Sequence, residues 1–257
     1  MFAWRVGTDY PLVVAANRDE RLDRPSDTIA VLQEADPRVL GGRDLLAGGT
    51  WLAVNEHGVV AGLTNRPSPG GRDPSKRSRG ELPLMIARRR TAEEGVAEVV
   101  RMVEPDQYNP AWLLVADRQS LFAIELDVGR GPVLRSLEPG IHVLENVALT
   151  EASPKVDRIG ALLAEAGASG SSLWASLPSV LSDHVLPDLV DGRWGDEQGT
   201  ARPLATLAAC VHTEEYGTRS AALIRVPEDP AGRPEVRVAD GPPCGTAFVD
   251  AVPYWDL

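Results

Sequence analysis

Short apolar runs separated by turn sequences dominate the chain and predict antiparallel strands. Hairpins are expected where two such runs flank a turn: residues 2–6 with 12–16 (turn at 7–11), 51–54 with 59–64, 111–116 with 121–126, and 220–226 with 236–238. Further strands are expected at 133–137 and 142–149, whereas residues 21–47, rich in Asp, Pro and Arg, are expected to be irregular. The hairpins are joined by loops rich in Pro, Gly and Ser, such as 67–76.

Helical patterns occur as two pairs between these strands. They are predicted at residues 78–90 and 91–103, and again at 153–166 and 171–181. Thr91 followed by Glu94 has the spacing of a capping box, which sets the start of the second helix. Strands segregated from helix pairs favour an α+β fold over a βαβ alternation, and no repeat or linker divides residues 1–257. We therefore expect a single α+β domain.

One apolar run ends in an unusual polar cluster. Residues 13–20 read VVAANRDE, so a strand finishes in Asn17, Arg18, Asp19 and Glu20. Charged groups at the end of a buried strand are costly to desolvate unless they bind each other or a ligand. The cluster thus indicates either a polar site or a solvated loop after an ordinary strand.

Composition and charge narrow the class of partner. The chain has 257 residues, 43% of them hydrophobic and 25% charged, which is ordinary for a globular protein. Its net charge of −11 argues against nucleic acid and against an anionic membrane surface as partners. No apolar run reaches the length of a membrane span, and the start lacks the features of a signal peptide. We expect a cytoplasmic protein.

Cysteine and histidine do not form a recognisable metal motif. Cys210 and Cys244 lie outside any CxxC pair, and both are expected to be buried apolar residues. The four histidines are scattered along the chain: His57, His142, His184 and His212. Cys210 and His212 would share one face of a strand, which we interpret as structural. The sequence therefore predicts neither a metal nor a cofactor.

Four other segments place polar residues at the ends of predicted elements. These are Thr64-Asn65, Ser78-Arg79-Gly80-Glu81, Glu145-Asn146 and Tyr216-Gly217-Thr218-Arg219. Each segment alone is weak evidence for a functional site, because a lone Asn usually bonds its neighbours and an Arg before a strand usually lies on the surface. Together with Asn17, however, Asn65 and Asn146 supply amide donors of the kind that stabilise an oxyanion.

An ordered series of motifs resembles one known family. AANRDE at residues 15–20 is similar to the hallmark of the NRDE family, also called the transport and Golgi organisation protein 2 (TANGO2) family. The supporting segments follow in the expected order: GGTWLAV (48–54), LTN (63–65), SRGEL (78–82), HVLEN (142–146), SPK (153–155) and YGTRSA (216–221). The resemblance covers nearly the whole chain.

The resemblance implies a fold like that of the N-terminal-nucleophile (Ntn) hydrolases, with two antiparallel sheets between helix layers (αββα). It is closest to cysteine acylases of the penicillin V and bile-salt type, whose α-amine acts as the base. It implies a catalytic set in which Asp19 orients the nucleophile and amine and Arg18 lies near the thiolate, with oxyanion-side amides at Asn65 and Asn146 and a second arginine at Arg219. The substrate-binding candidates are Asn17, Glu20, Thr64, Arg79 and Tyr216.

The chain departs from this pattern at its start. Residue 2 is Phe where the family has Cys, and no Cys, Ser or Thr precedes Thr8. We expect either that an upstream Met-Cys segment is missing from the assigned start or that this member has lost its nucleophile. As written, the chain is expected to be inactive in hydrolysis. Cys210 is a poor substitute because it has no free amine and lies in an apolar segment.

Two classes of function remain open at the level of the sequence. One is an amidohydrolase or acyl-transfer enzyme of the Ntn type. The other is a non-catalytic carrier for haem, acyl-CoA or lipid, since the family is associated with haem trafficking and with lipid or acyl-CoA homeostasis. Haem would need an axial His or Cys. A scaffold without a small ligand is the third option. We expect a small-molecule ligand in the inter-sheet cleft, no nucleic-acid partner and no membrane span, and leave a homodimer open.

Overall fold

Two antiparallel sheets packed face to face form the centre of the structure. The computed structural model describes residues 1–7, 10–68, 70–151, 153–167, 171–186 and 204–257. Parts of the predicted turn at 7–11 and loop at 67–76, namely positions 8, 9 and 69, lie outside the described residues. The expected α+β class with two antiparallel sheets is confirmed.

The described strands and helices alternate along the chain in groups. The strands are β1 (Phe2–Trp4), β2 (Leu12–Arg21), β3 (Ser26–Gln33), β4 (Val39–Asp44), β5 (Leu52–Asn55), β6 (Val60–Asn65), β7 (Ala111–Ala116), β8 (Leu121–Leu126), β9 (Val133–Ser136), β10 (Gly140–His142), β11 (Tyr216–Val226), β12 (Glu235–Ala239) and β13 (Val249–Asp250). The α-helices are α1 (Glu81–Ala87), α2 (Ala92–Met102), α3 (Pro154–Glu165) and α4 (Ser171–Leu181). Short 3₁₀ turns occur at Pro105–Gln107, Leu204–Leu207 and Val252–Trp255.

The strands pair into two sheets of different connectivity. The first sheet has the order β10-β1-β2-β11-β12-β13, and the second runs in chain order from β3 to β9. The second sheet is therefore a meander, and it contains the two hairpins predicted at 51–64 and 111–126. The first sheet joins the two chain ends, because β2 pairs with β11 along its whole length.

Alternation along the strands divides the core into three layers of contact. In β2, Leu12 and Val14 pack between the two sheets, whereas Val13 and Ala15 pack against α3 and α4. In the second sheet, alternate residues face α1 and α2 in the same way. Because a strand points successive side chains to opposite faces, apolar runs without polar alternation fit strands buried on both sides. The result is the αββα layering.

The expectation that residues 21–47 are irregular is wrong. They contain β3 and β4, which form the edge of the second sheet. The register of this pair shifts twice, between Asp27 and Ala30 and between Val31 and Gln33. Such bulges break the two-residue alternation, and an edge strand is only half buried, so the apolar signal is weak.

Three element boundaries also differ from those predicted. The strand expected at 142–149 is wrong beyond His142, where β10 ends and the chain turns toward α3. The first helix begins at Glu81 rather than Ser78, because Gly80 lies against Gly49 and accepts a hydrogen bond from Thr50 N at 2.9 Å. The strand expected to start at residue 220 begins at Tyr216. The predicted cap at Thr91 is confirmed, since its side chain accepts from Glu94 N.

Candidate functional site

The polar end of β2 presents its side chains to two different layers. Arg18 and Glu20 continue the face that Leu12 and Val14 present to the second sheet. Asn17 and Asp19 continue the opposite face, which packs against the helices. The pleat of β2 therefore directs the side chains of Arg18 and Asp19 to opposite faces of the first sheet.

Arg18 is a buried cation in the space between the sheets. It is 7% exposed, and its guanidinium lies over the ring of Trp51 at 4.4 Å. Burial lowers the pKa of Arg18 below its ordinary value, against the opposing effect of Glu20 and Asp44. Its Nη1 has no hydrogen-bond partner among the described residues. An unpaired buried donor of this kind is unfavourable unless a ligand satisfies it.

Arg219 reaches the same side of the structure through a β-bulge. The register of β11 against β2 shifts between Thr218 and Ser220, so Arg219 is the extra residue. Its Nη1 donates to Leu22 O, while its Nε is buried with no partner within the described part of the chain. Arg219 lies close enough to Arg18 to contribute to lowering the pKa of Arg18. A bulge is a common device for re-aiming a side chain at a site.

Asp19 is held by a network on the helix side of the first sheet. Thr218 Oγ1 donates to Asp19 Oδ1 at 2.6 Å, and Lys155 Nζ lies 3.5 Å from Asp19 Oδ2. Tyr216 donates its hydroxyl hydrogen to the backbone oxygen of Asp19 at 3.0 Å. Asp19 is therefore fixed by α3 and β11 together. Lys155 belongs to the SPK segment, but the sequence did not single it out as a site residue.

The α-amine of Met1 lies beside this network. It donates to Ala15 O at 2.5 Å, and burial together with the charge of Lys155 lowers its pKa to about 5. An amine with that pKa is neutral at pH 7 and has a free lone pair.

A second group of polar residues lies where β10 leads toward α3. Glu145 is buried, and its carboxylate accepts a hydrogen bond from Ser153 Oγ, the N-cap of α3. Thr64 Oγ1 donates to Glu145 O at 2.9 Å, which ties β6 to the same segment. Asn146 follows directly and is half-buried, whereas Asn65 is exposed at the end of β6.

Strand register relates Arg18 to the start of β1. Phe2 pairs with Val14 in β2 and with His142 in β10. Four positions further along β2 is Arg18, whereas β10 ends at His142, so the second register extends no further. Arg18 therefore lies beside the line along which β1 would continue beyond Met1, and no strand register places Asn146 there.

Three of the expected substrate-binding residues make contacts within the protein. Both amide hydrogens of Asn17 go to backbone oxygens, of Leu181 and Ala209, each at 2.8 Å. Its Oδ1 is buried without a hydrogen-bond partner among the described residues, and the expected role of Asn17 stays a prediction. Arg79 Nη1 donates to Pro110 O at 3.0 Å, and Glu20 lies 3.6 Å from Arg24.

A cavity between the sheets is lined in part by Trp51 and Ser220, which neighbour Arg18. Its empty space of about 370 Å³ includes open solvent, and the enclosed part has room for about one water molecule. Most of the remaining lining is aliphatic, for example Leu40, Ala222 and Val238. Trp51 is the residue that sequence reasoning missed here, although it stands in the GGTW segment. An apolar cavity beside a buried cation suits an amphipathic anion.

Comparison with known proteins identifies the family of the chain. The family model described as Transport and Golgi organisation 2 matches residues 1–233. The chain belongs to the TANGO2 family. It is 34% identical over 242 residues to the Transport and Golgi organization protein 2 homolog of Bos taurus, which covers 86% of this chain and 83% of that protein. The Homo sapiens homolog is 32% identical over 238 residues, covering 86% and 83%.

A solved structure supports the fold. A mutant conjugated bile acid hydrolase from Clostridium perfringens superposes with a TM-score of 0.54, covering 94% of this chain and 89% of that one. The two sequences are only 11% identical, so the likeness concerns the fold alone. This member of the TANGO2 family therefore has the Ntn-hydrolase fold. In the described residues, no helix is both long and apolar enough to cross a membrane.

Proposed function

We propose that this TANGO2-family protein binds an anionic acyl compound in the inter-sheet cavity and that its chemistry is acyl- or amide-bond hydrolysis of the Ntn type. The observation that carries the proposal is Arg18, a buried guanidinium with an unpaired Nη1 over Trp51, which also lines the solvent-open cavity. A carboxylate or phosphate on the ligand would complete its hydrogen bonds, and the acyl chain would lie along the open, apolar side of the cavity.

The amino-terminal edge supports the choice of reaction. In Ntn chemistry the thiol gives its proton to the α-amine and adds to the acyl carbon, the amine passes that proton to the departing amine, and water then splits the thioester into the acid and the free thiol. Residues 1–7 contain no Cys, Ser or Thr. We propose that the nucleophile belongs three residues ahead of Met1, beside Arg18, as the register of β1 against β2 suggests. Asp19 and Lys155 would then orient its amine.

The binding part of the proposal is tested on the chain as it stands. Calorimetry with N-acyl amino acids, fatty acids and acyl-CoA is compared with titrations of uncharged acyl amides of equal chain length. We expect the anionic compounds alone to bind, and Arg18→Gln to weaken binding about 10- to 100-fold, the value of a lost charged hydrogen bond. Arg135→Gln, an exposed arginine of β9, is the control and should bind normally. Equal binding by the R18Q variant would refute the assignment.

The catalytic part needs a second version of the protein. A chain with Met-Cys-Xaa-Xaa placed ahead of Met1 is expected to hydrolyse N-acyl amides, whereas the same extension with Ala in place of Cys is not. Binding without hydrolysis in the Cys version would instead favour the carrier function for acyl-CoA or lipid. For haem the cavity is a poor fit, because the described residues that line it include no His or Cys.

A further inference from the structure

Two cysteines and two histidines, far apart in sequence, meet on the surface of the first sheet. Their potential ligand atoms all lie within 4.8 Å of one another: His184, Cys210, His212 and Cys244. They come from the segment after α4, the segment before β11 and the loop after β12. We propose that these four side chains form a tetrahedral Cys₂His₂ site for a zinc ion.

The distances between the potential ligand atoms fit a zinc centre. His212 Nε2 lies 3.6 Å from Cys210 Sγ and 3.3 Å from Cys244 Sγ. Zinc bonds of about 2.3 Å to sulfur and about 2.1 Å to nitrogen place such ligands roughly 3.6 Å apart at tetrahedral angles. The cluster therefore needs only small side-chain movements to take up the ion.

The chemistry of the donor set selects the metal class. Two thiols and two imidazoles are the ligands that zinc takes in structural sites, while calcium and magnesium require oxygen donors. Both thiols would bind the ion as thiolates, so uptake of the metal would release their protons to solvent.

The imidazoles are oriented as metal ligands commonly are. His184 Nδ1 lies 3.1 Å from Cys210 O, so as a donor there it leaves Nε2 with a lone pair for the metal. The rings of His184 and His212 are 4.9 Å apart and tilted by 54°, which allows both to point at one centre. Cys210 is itself anchored, because its amide donates to Asp183 O at 2.9 Å.

The zinc site would lie next to the residues that hold Asp19 and would restrict their movement. Val211, next to Cys210, donates its amide hydrogen to Thr218 Oγ1, the hydroxyl that donates to Asp19. A cation that fixes Cys210 and His212 would hold Val211 between them. The inference itself depends only on the four ligands and not on the proposed hydrolysis.

The test is cobalt binding by the full chain, purified with a reductant and freed of metal. We expect one Co²⁺ per chain, with thiolate-to-metal charge-transfer absorption and intense tetrahedral bands, and displacement by Zn²⁺. Cys244→Ser and His212→Ala alter exposed residues, so the fold should survive, as circular dichroism would verify. Each should weaken metal binding by more than about 100-fold, since loss of a residue that merely orients a ligand costs 10–100-fold.

The matched control is His142→Ala, a half-buried histidine of β10 outside the cluster whose ring contacts Glu138 O. It should bind cobalt as the unaltered chain does. The inference is overturned if no tetrahedral spectrum appears, if C244S and H212A bind as tightly as H142A, or if mass spectrometry finds Cys210 and Cys244 joined in a disulfide under these reducing conditions.

Discussion

Arg18 carries a positive charge into the space between the sheets without a full set of hydrogen bonds. Burying an incompletely paired charge opposes folding, and an apolar side chain of similar volume often restores stability. Functional sites commonly keep such unfavourable groups because a ligand completes them. Arg18, the residue best suited to bind an anion, should therefore contribute little to the stability of the folded chain.

We predict that Arg18→Met leaves the free energy of unfolding unchanged or raises it by about 1 kcal/mol, while binding of the anionic acyl ligand is lost. Urea denaturation measures the first effect and calorimetry the second. Arg225→Met is the contrasting variant, because Arg225 pairs with Glu235 at 2.6 Å and stacks on Tyr10 at 4.3 Å. It should lose about 1–3 kcal/mol. A loss that large for R18M would contradict the prediction.

The α-amine of Met1 gives stability a dependence on pH. Its pKa falls from 8.0 in the unfolded chain to about 5 in the folded one, so between these values the unfolded state binds the extra proton. Stability should therefore rise with pH from 5 to 8, by up to about 4 kcal/mol, and this contribution is lost below pH 5.

Urea unfolding at intervals between pH 5 and 8 tests this slope. The control is the chain extended by three residues ahead of Met1, whose amine no longer lies beside Ala15. Its stability should depend less steeply on pH over the same interval. Identical slopes for the two chains would show that the Met1 amine is not the titrating group.

At the scale of elements, the apolar pattern predicted those strands that are buried on both faces and joined by short turns. It failed for β3 and β4, where two register shifts interrupt the alternation. For the candidate site, the sequence identified polar residues at the ends of β2 and β11. It did not indicate the face of the sheet on which each side chain lies. The pleat of β2 and the bulge at Arg219 decide those faces, and both depend on strand pairing.

The histidine–cysteine cluster was missed for a related reason. Its members come from three segments, and only Cys210 and His212 are close in sequence. Nothing in their spacing indicates that α4 and the loop after β12 end at the same place. Contacts between distant segments follow from the packing of layers, which no local pattern specifies.

In strand β4, the lack of a side chain at Gly42 leaves room for the indole ring of Trp51. A Cβ at Gly42 would lie 2.0 Å from the ring of Trp51, the ring over which Arg18 lies. We predict that Gly42→Ala displaces the indole, lowers the free energy of unfolding by about 1–3 kcal/mol and weakens binding of the anionic ligand.

Thermal denaturation and calorimetry measure the two effects of G42A. Gly131→Ala is the control, because a Cβ there would meet no atom within 4 Å. It should change neither quantity. Normal ligand affinity in G42A would mean that Trp51 does not position Arg18.

At the scale of the whole molecule, the two ends of the sandwich differ. The end that carries Arg18 and Asp19 has a cavity open to solvent. At the opposite end, Arg118 of the β7–β8 turn donates to backbone oxygens of His57, Pro227 and Gly232. One guanidinium thus fastens the second sheet to the β11–β12 connection of the first. Closure at one end leaves the other free to admit a ligand.

This division of labour predicts that stability and binding respond to different arginines. Arg118→Ala leaves several backbone acceptors unpaired at once, so we expect a loss of about 2–4 kcal/mol in the free energy of unfolding, measured by urea denaturation. Below the unfolding transition, its affinity for the anionic ligand should equal that of the unaltered chain, since the site is at the other end of the sheets. The exposed Arg135→Ala serves as control for both measurements. If R118A lost affinity in proportion to stability, the two ends would be coupled, and the closed end would have to be counted as part of the binding machinery.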